Sequence, residues 1–331
     1  MNMNNSFSTL CYLIQTIDPV HIGTGGMRLG RVDNSIVREP GTRLPKIPGT
    51  SLSGAIRSYS AYRYGKRRCS GQKDHCGSPS CPICYTFGSI TGEGEKQKSF
   101  SGVVSIGDAR ILFFPVYSMA GPVWVTSPST LADFGISENV SNDKARMASG
   151  LKEFKNLNLG WLMVEKENDL AIEGIPADLP STVKDRIVLV SDKLFSQIVN
   201  SNLEVRTSVS IDPKTGAAAD KALFTYEAIP RAAFLWMDLI VDDYRYGELW
   251  QNDGVVLKYK EEQNKTNNDT QKNEPLYPDP KQPEQPLMEN NRPKGWRSPA
   301  DVVTAGIEWA EHLGIGGMGT RGFGRIRGFK L

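Results

Sequence analysis

Asp33 is a carboxylate in a segment whose other charged residues are mostly arginine, and this contrast makes it the first candidate for chemistry. Arg28 and Arg31 precede it, and Arg38 and Arg43 follow it. A loop carboxylate can act as a general base, or it can hold a divalent cation that stabilises developing negative charge. The residues alone also allow a simpler role, in which Asp33 only hydrogen-bonds within its own turn.

The run PGTSLSGAIR at residues 48–57 predicts a helix that begins close to this loop. An apolar stripe at helical spacing is formed by Leu52, Ala55, Ile56 and Tyr59. With Thr50 or Ser51 as the N-cap and Gly65 as the end signal, the helix is expected over about residues 51–64. Its N-terminus offers unpaired N–H groups and partial positive charge, which suit an anion such as an RNA phosphate, and Arg57 adds formal charge.

Four of the five cysteines are close together in the sequence, and their spacing predicts a metal site. The four are Cys69, Cys76, Cys81 and Cys84. Zinc favours thiolate ligands from short turns, and a full set of four leaves no open position, so we expect a structural zinc ion. Two alternatives remain: His75 replaces Cys69 or Cys76 as a ligand, or the cysteines only pack together.

A glycine-rich run near the carboxyl end, residues 314–327, is the second candidate for anion binding. Glycines such as Gly316 and Gly317 can present backbone N–H groups to phosphates. Arg321 and Arg325 can neutralise phosphate charge, and Phe323 offers a ring on which a base could stack. The alternative is a tight packing turn beside the first strand.

Histidine chemistry is weakly represented, with three histidines in the chain. His21 precedes a glycine turn and is interpreted as a phosphate contact, although a general acid or a structural donor would also fit. The sequence contains no pair of histidines of the kind that would indicate a two-histidine ribonuclease. Nucleotide hydrolysis and acyl transfer are also unsupported, because the sequence has neither a P-loop nor a nucleophile elbow.

The composition is that of a folded chain with a local, not a global, basic surface. The 331 residues are 39% hydrophobic, which suffices for a substantial core, and the formal net charge is only +2. Any RNA-binding surface must therefore come from clustered Arg and Lys. No signal peptide or membrane-spanning run is evident, so we expect a cytoplasmic protein.

Several elements must position these residues, and their limits are predicted from periodicity and turn residues. The expected elements are a strand at 10–17, strands within 103–115, a short helix at 127–134, two long strands within 202–242, a mobile polar segment at 258–294 and a helix that starts at Ser298. The polar segment has too few apolar residues to form a core.

Three of these motifs together resemble the backbone subunits of type III CRISPR effector complexes, which belong to the RAMP superfamily. They are HIGTG at 21–25, VDNSI at 32–36 and PGTSLSGAIR at 48–57. The resemblance extends to residues 107–110, 114–128 and 314–327, whereas about 139–200 contribute little. The central segments are more similar to the Cmr type (III-B), and the cysteine insertion and glycine-rich loop to the Csm type or to III-D.

The resemblance implies an α+β, ferredoxin-like (RRM-related) RAMP fold. It implies one RAMP domain over 1–331 that carries a zinc-binding insertion at 66–88, a β-hairpin thumb at 202–242 and the polar insertion at 258–294. Asp33 takes the position of the family's target-RNA-cleaving aspartate, which works with Mg²⁺ or another divalent cation. The expected RNA contacts are His21, Arg28, Arg31, Ser51, Ser53, Arg57, Gly316, Gly317, Arg321, Phe323 and Arg325.

The implied partners are a guide RNA (crRNA), a complementary target RNA, further copies of the chain and other type III effector subunits, with no membrane. Many copies along one guide would cut the target at regular intervals. The alternative within the same complex is a scaffold that binds guide RNA without cutting. A stand-alone endonuclease that processes guide RNA is disfavoured, because no clear His or Tyr general-base set is present.

Overall fold

A computed structural model describes most of the chain. The described residues are 7–25, 32–71, 73–78, 81–211, 214–242, 288–289, 292–293 and 298–331. Arg28 and Arg31 lie outside these ranges, as does nearly all of the polar segment predicted at 258–294. No helix among the described residues is long and apolar enough to cross a membrane.

The described elements confirm the α+β prediction. The strands are β1 (Phe7–Thr16), β2 (Lys46–Ile47), β3 (Ser89–Thr91), β4 (Lys98–Phe100), β5 (Val104–Ile106), β6 (Ala109–Ser118), β7 (Gly121–Thr126), β8 (Lys144–Met147), β9 (Asn156–Leu159), β10 (Leu162–Asp169), β11 (Ile187–Val190), β12 (Glu204–Ile211), β13 (Ala218–Ala228), β14 (Phe234–Asp242), β15 (Met288–Glu289), β16 (Arg292–Pro293) and β17 (Ile326–Lys330). The α-helices are α1 (Gly49–Arg63), α2 (Pro82–Phe87), α3 (Pro128–Asp133), α4 (Ser181–Lys184), α5 (Asp192–Ser201) and α6 (Pro299–Leu313).

The chain divides into two compact units, each assembled from separate stretches of sequence. The first unit consists of Met1–Leu10, Ser53–Gly107 and Asp238–Ala310, and the second of Cys11–Leu52, Asp108–Met237 and Glu311–Leu331. The domain limits expected from the sequence stay a prediction.

The second unit is built on a mixed sheet, in the order β17-β1-β14-β6-β7-β11-β8-β10-β9, with β2 paired to β6. β1 and β17 are antiparallel, with Tyr12 opposite Lys330, so the first and the last described strands are neighbours in the sheet. β11 runs parallel to β7. The core of this unit includes Leu13, Phe113 and Phe234, all buried. This sheet places the loop before β17 beside the loop after β1.

β12 and β13 form a separate two-stranded hairpin, from Glu204 opposite Ala228 to Val209 opposite Leu223. The predicted range 202–242 therefore contains three strands, because β14 leaves the hairpin and joins the main sheet. β14 joins the main sheet because it is more apolar than the hairpin strands. Its first four residues are all buried, whereas the hairpin strands carry many exposed residues.

In the first unit, α6 packs closely on α1. Ser60 Oγ donates a hydrogen bond to the carbonyl oxygen of Val302 (2.6 Å), and Arg63 Nη1 donates to that of Ala305 (2.7 Å). A Cβ on Gly306 would lie 2.4 Å from the carbonyl oxygen of Ile56, so only glycine fits at this crossing. α1 begins at Gly49, earlier than the start predicted from its stripe, and ends at Arg63, one residue before the predicted end.

Candidate functional site

The segment at residues 32–38, which carries Asp33, pairs with strand β13 at the edge of the hairpin, in the manner of a short added strand. The backbone N–H of Asn34 donates to the carbonyl oxygen of Thr225 (3.0 Å), and that of Glu227 donates to the carbonyl oxygen of Asn34 (3.0 Å). The pairing is parallel, with Asn34 opposite Tyr226. β13 therefore determines where Asp33 lies, although the two segments are far apart in sequence.

The side chain of Asp33 is held by a single residue of β13. The N–H and the hydroxyl of Thr225 both donate to Asp33 Oδ2, each at 2.8 Å. In return, the N–H of Asp33 donates to Thr225 Oγ1 (2.9 Å). The hydrogen bonds from the Thr225 N–H and hydroxyl hold the pKa of Asp33 below its usual range, so the carboxylate is charged at neutral pH.

A second contact ties the same segment to β13 two residues further on. Glu227 is 8% exposed, and its Oε1 accepts from Arg38 Nη2 at 2.6 Å. Its Oε2 accepts from the N–H of Ile36 (3.2 Å), and Arg38 Nε donates to Asn200 Oδ1 of α5 (2.8 Å). Glu227 is thus a paired carboxylate on a strand.

His21 is buried behind this segment, with 7% of its surface exposed. Its Nδ1 donates to the carbonyl oxygen of Glu227 (2.6 Å), and its ring meets that of Tyr226 edge to face. Its own carbonyl oxygen accepts from the N–H of Gly317 (3.0 Å). These contacts match the structural-donor alternative, while the predicted phosphate contact stays a prediction.

The glycine-rich loop packs against the end of β1 through positions that need glycine. Gly316 has a φ of +78°, and a Cβ there would lie 2.5 Å from the carbonyl oxygen of His21. Because the N–H of Gly317 already bonds to that oxygen, it is not available to a phosphate. The packing alternative therefore accounts for these two glycines, while their predicted RNA contacts stay predictions.

The cations of this loop lie at the surface beside the hairpin. Arg321 is exposed, with Nη1 3.5 Å from Ser208 Oγ of β12. Arg325 is exposed and bonds to Asp18 through Nε (2.5 Å), and this hydrogen bond lowers the pKa of Asp18 below its usual range. Both arginines therefore remain accessible to solvent.

Phe323 differs from its expected placement, because it is only 4% exposed. The guanidinium of Arg206 lies 4.8 Å from the centre of its ring, so a base cannot stack there without displacing the arginine. Arg206 itself is exposed. Arg206 was not predicted as a site residue. The sequence offered one indication of it, a basic residue at the base of the predicted hairpin.

The N-terminus of α1 is already occupied by a carboxylate. The N–H of Gly49 donates to Asp108 Oδ1 (2.7 Å), and Lys46 Nζ bonds to Asp108 Oδ2 (2.5 Å). The predicted cap at Thr50 or Ser51 was wrong, because Asp108 supplies the acceptor from elsewhere in the chain and the helix begins at Gly49. Ser51 and Ser53 are half-buried within the helix, and their RNA contacts stay predictions.

The cysteines of the insertion come together as predicted. The four Sγ atoms of Cys69, Cys76, Cys81 and Cys84 all lie within 4.8 Å of one another, and three of these residues are buried. Cys84 Sγ is 3.6 Å from both Cys69 Sγ and Cys76 Sγ. Tetrahedral zinc with Zn–S bonds of about 2.3 Å requires sulfur separations of about 3.8 Å. The cluster could therefore hold a metal ion such as zinc.

Two neighbours of the cluster have structural roles. His75 is buried, accepts at Nδ1 from the N–H of Ile90 (2.8 Å) and donates from Nε2 to the carbonyl oxygen of Gly71 (2.6 Å), so both ring nitrogens are used. Arg57 Nε donates to the carbonyl oxygen of Cys69 (2.9 Å). Burial lowers the pKa of Arg57, and the nearby thiols partly offset that shift. Arg57 therefore supports the insertion, and its RNA contact stays a prediction.

Comparisons with known proteins agree on one family. The sequence profile of the RAMP superfamily matches residues 13–327. The CRISPR system Cmr endoribonuclease Cmr4 of Pyrococcus furiosus is 27% identical over 260 residues, which is 69% of this chain and 80% of that protein. The CRISPR system Cms endoribonuclease Csm3 of Enterococcus italicus is 42% identical over 98 residues, which is 29% of this chain and 42% of that protein.

Solved structures show the same fold at low sequence identity. A chain of the apo state of a type III-B Cmr-beta complex matches with a TM-score of 0.59 and 15% identity, covering 98% of this chain and 97% of that one. A crystal structure of Cmr4 matches with a TM-score of 0.53 and 19% identity, covering 98% and 99%.

Proposed function

The chain belongs to the RAMP superfamily, and from that premise we propose that it is a backbone subunit of a type III CRISPR effector complex that binds guide RNA and cleaves complementary target RNA with Asp33. The resemblance read from the sequence is confirmed, and the Cmr type is favoured because the Cmr4 match covers 69% of this chain against 29% for the Csm3 match. The relatives are named endoribonucleases, which supports ribonuclease activity within such a complex.

The observation that carries the proposal is the arrangement of the Asp33 carboxylate. Oδ2 accepts two hydrogen bonds from Thr225, whereas Oδ1 accepts none among the hydrogen bonds between described residues. A charged oxygen that is held in place and accepts no hydrogen bond within the described part of the chain is suited to bind a cation or a substrate hydroxyl.

The chemistry follows from what RNA cleavage requires. The 2′-OH must give its proton to Asp33 or to solvent and attack the scissile phosphate in line, so that a bond from phosphorus to the 2′-oxygen forms as the bond to the 5′-oxygen breaks. Negative charge on the phosphate must be stabilised. A divalent cation such as Mg²⁺, held by Asp33, would supply that charge stabilisation. Arg206, Arg321 and Arg325 present positive charge that would hold the RNA backbone without reading its bases.

The partners in this proposal are the crRNA guide, the complementary target RNA, further copies of the chain and other effector subunits. Copies that repeat along one guide would place one Asp33 at each repeat, so the target would be cut at regular intervals. The cysteine cluster would hold a structural zinc ion, because its four thiolates leave no position open for substrate.

The experiment compares wild type with Asp33→Asn in the reconstituted complex, using labelled target RNA and Mg²⁺. The substitution keeps the shape of the side chain and removes its charge. Asp178→Asn is the matched control, because Asp178 is an exposed aspartate of the same unit. Regularly spaced cuts that are lost only in Asp33→Asn support the proposal, provided that all three complexes assemble on guide RNA equally.

The second candidate is a scaffold that binds guide RNA but does not cut. The observation that favours this role is the pair of reciprocal hydrogen bonds between Asp33 and Thr225. They fasten the loop to the hairpin, and a scaffold would need this contact even without cleavage. Equal cutting by wild type and Asp33→Asn, or no cutting by either, would assign the chain to this scaffold role.

A further inference from the structure

We infer that Thr225 is a positioning residue for Asp33, fixing Oδ2 so that Oδ1 is the oxygen presented to the target RNA or to its cation. The inference rests on the proposed function, since it concerns how the same carboxylate is oriented. It adds a residue on β13, far from the loop in sequence, to the requirements for cleavage.

The geometry gives the hydroxyl of Thr225 two simultaneous tasks. Oγ1 donates to Asp33 Oδ2 at 2.8 Å and accepts from the N–H of Asp33 at 2.9 Å. A hydroxyl can donate and accept at once, so serine could replace threonine here, whereas valine has the same shape and can do neither. The backbone N–H of Thr225 adds a third bond, to Oδ2 (2.8 Å), which any residue would keep.

The pairing of the segment with β13 explains why this orientation is reproducible. Residues two apart on a strand share a face, so Thr225 and Glu227 present their side chains to the Asp33 segment together. Thr225 holds Asp33, and Glu227 holds Ile36 and Arg38. Two attachment points prevent the segment from rotating about either one, which gives the carboxylate the precision that catalysis needs.

The same hydrogen bonds indicate how Asp33 contributes. Donors on a carboxylate stabilise its charged form, and the pKa of Asp33 is accordingly lowered. A general base works best with a pKa near the operating pH, whereas a cation ligand must simply stay charged. Thr225 therefore favours Asp33 as a ligand or electrostatic group over Asp33 as the proton acceptor.

The test uses single-turnover cleavage by the reconstituted complex, measured against pH and against Mg²⁺ concentration. Thr225→Val should slow cleavage roughly tenfold or more, the scale of a lost hydrogen bond to a charged group, and should leave the cut positions unchanged. It should also move the acid limb of the pH profile to higher pH, because a carboxylate with fewer donors takes up a proton earlier. Thr225→Ser should restore both the rate and the profile.

Thr207→Val is the matched control, because Thr207 lies directly opposite Thr225 on β12 and is exposed. It should leave the cleavage rate and the pH profile unchanged.

If Thr225→Val does not assemble, Thr225→Ala removes the same hydroxyl without placing a new methyl group in the half-buried site, and the same results are expected. Asp33→Asn in the same assay separates the two proposals. A wild-type rate and profile in the hydroxyl-free variant beside an inactive Asp33→Asn would overturn the role of Thr225 alone, whereas a fully active Asp33→Asn would overturn the proposed function.

Discussion

Arg38 and Glu227 form an ion pair of 2.6 Å in which the side chains are only 17% and 10% exposed. The pair joins the segment that follows Asp33 to β13, and Asn200 of α5 holds the other side of the guanidinium. A buried charge that loses its partner is costly, because water cannot replace the lost contact. The pair should therefore act as a required attachment of the Asp33 segment.

We expect Glu227→Gln to lower the free energy of unfolding by about 3 kcal/mol, because it leaves the Arg38 guanidinium buried without a counter-charge. Denaturant unfolding of the purified chain, followed by circular dichroism, measures this loss. Asp169→Asn is the control: Asp169 pairs with Lys166 at 2.6 Å but is 62% exposed, so its loss should change the free energy of unfolding far less. Equal losses in the two variants would show that the Arg38 pair is no more important than a surface pair.

Local patterns allowed much of the fold to be predicted. The stripe in α1 repeats every three or four residues, and the capping pair of Ser298 and Asp301 lies within one turn, so neither depends on distant contacts. The cysteine cluster was predictable for the same reason. Its ligands lie in one short stretch, and their chemistry is specific.

Long-range partners were not predictable from such patterns. Asp33 and Thr225 are 192 residues apart, and no periodicity encodes a pairing across that separation. Asp108 takes the N-terminus of α1 from 59 residues away, which displaced the expected cap. Arg57 was predicted to contact RNA because of its positive charge, but its Nε donates to the carbonyl oxygen of Cys69. In each case a tertiary contact that the local sequence does not encode determines what the side chain or backbone group is bonded to.

The two glycines in neighbouring helices should respond oppositely to alanine. A Cβ on Gly306 would lie 2.4 Å from the carbonyl oxygen of Ile56, so Gly306→Ala should push α6 away from α1 and cost about 1–3 kcal/mol. A Cβ on Gly54 meets nothing within 4 Å, so Gly54→Ala should stabilise α1 by about 0.5–1 kcal/mol. Thermal unfolding of both variants measures the difference. A Gly306→Ala variant as stable as wild type would disprove the close crossing of the helices.

The cysteine cluster should bind one zinc ion per chain, and the insertion should depend on it. Cys84→Ser removes a buried ligand that lies 3.6 Å from two other sulfurs, so elemental analysis should find the metal lost and thermal unfolding should shift downward. Cys11→Ser, outside the cluster, should leave the zinc content unchanged. Metal-free wild-type protein that is folded and equally stable would rule out a structural zinc ion.

Arg206 and Arg321 should bind RNA through its phosphates. Both guanidinium groups are exposed beside the hairpin, and phosphate contacts carry no base preference, so Arg206→Gln and Arg321→Gln should weaken guide-RNA binding equally for different sequences. Each lost contact should also reduce the slope of log affinity against log salt by about 1. Fluorescence anisotropy over a salt series measures both effects, with Lys155→Gln as a control for the loss of an exposed positive charge outside the hairpin. If all three variants reduce the slope alike, RNA binds by overall charge and the surface beside the hairpin has no special part in it.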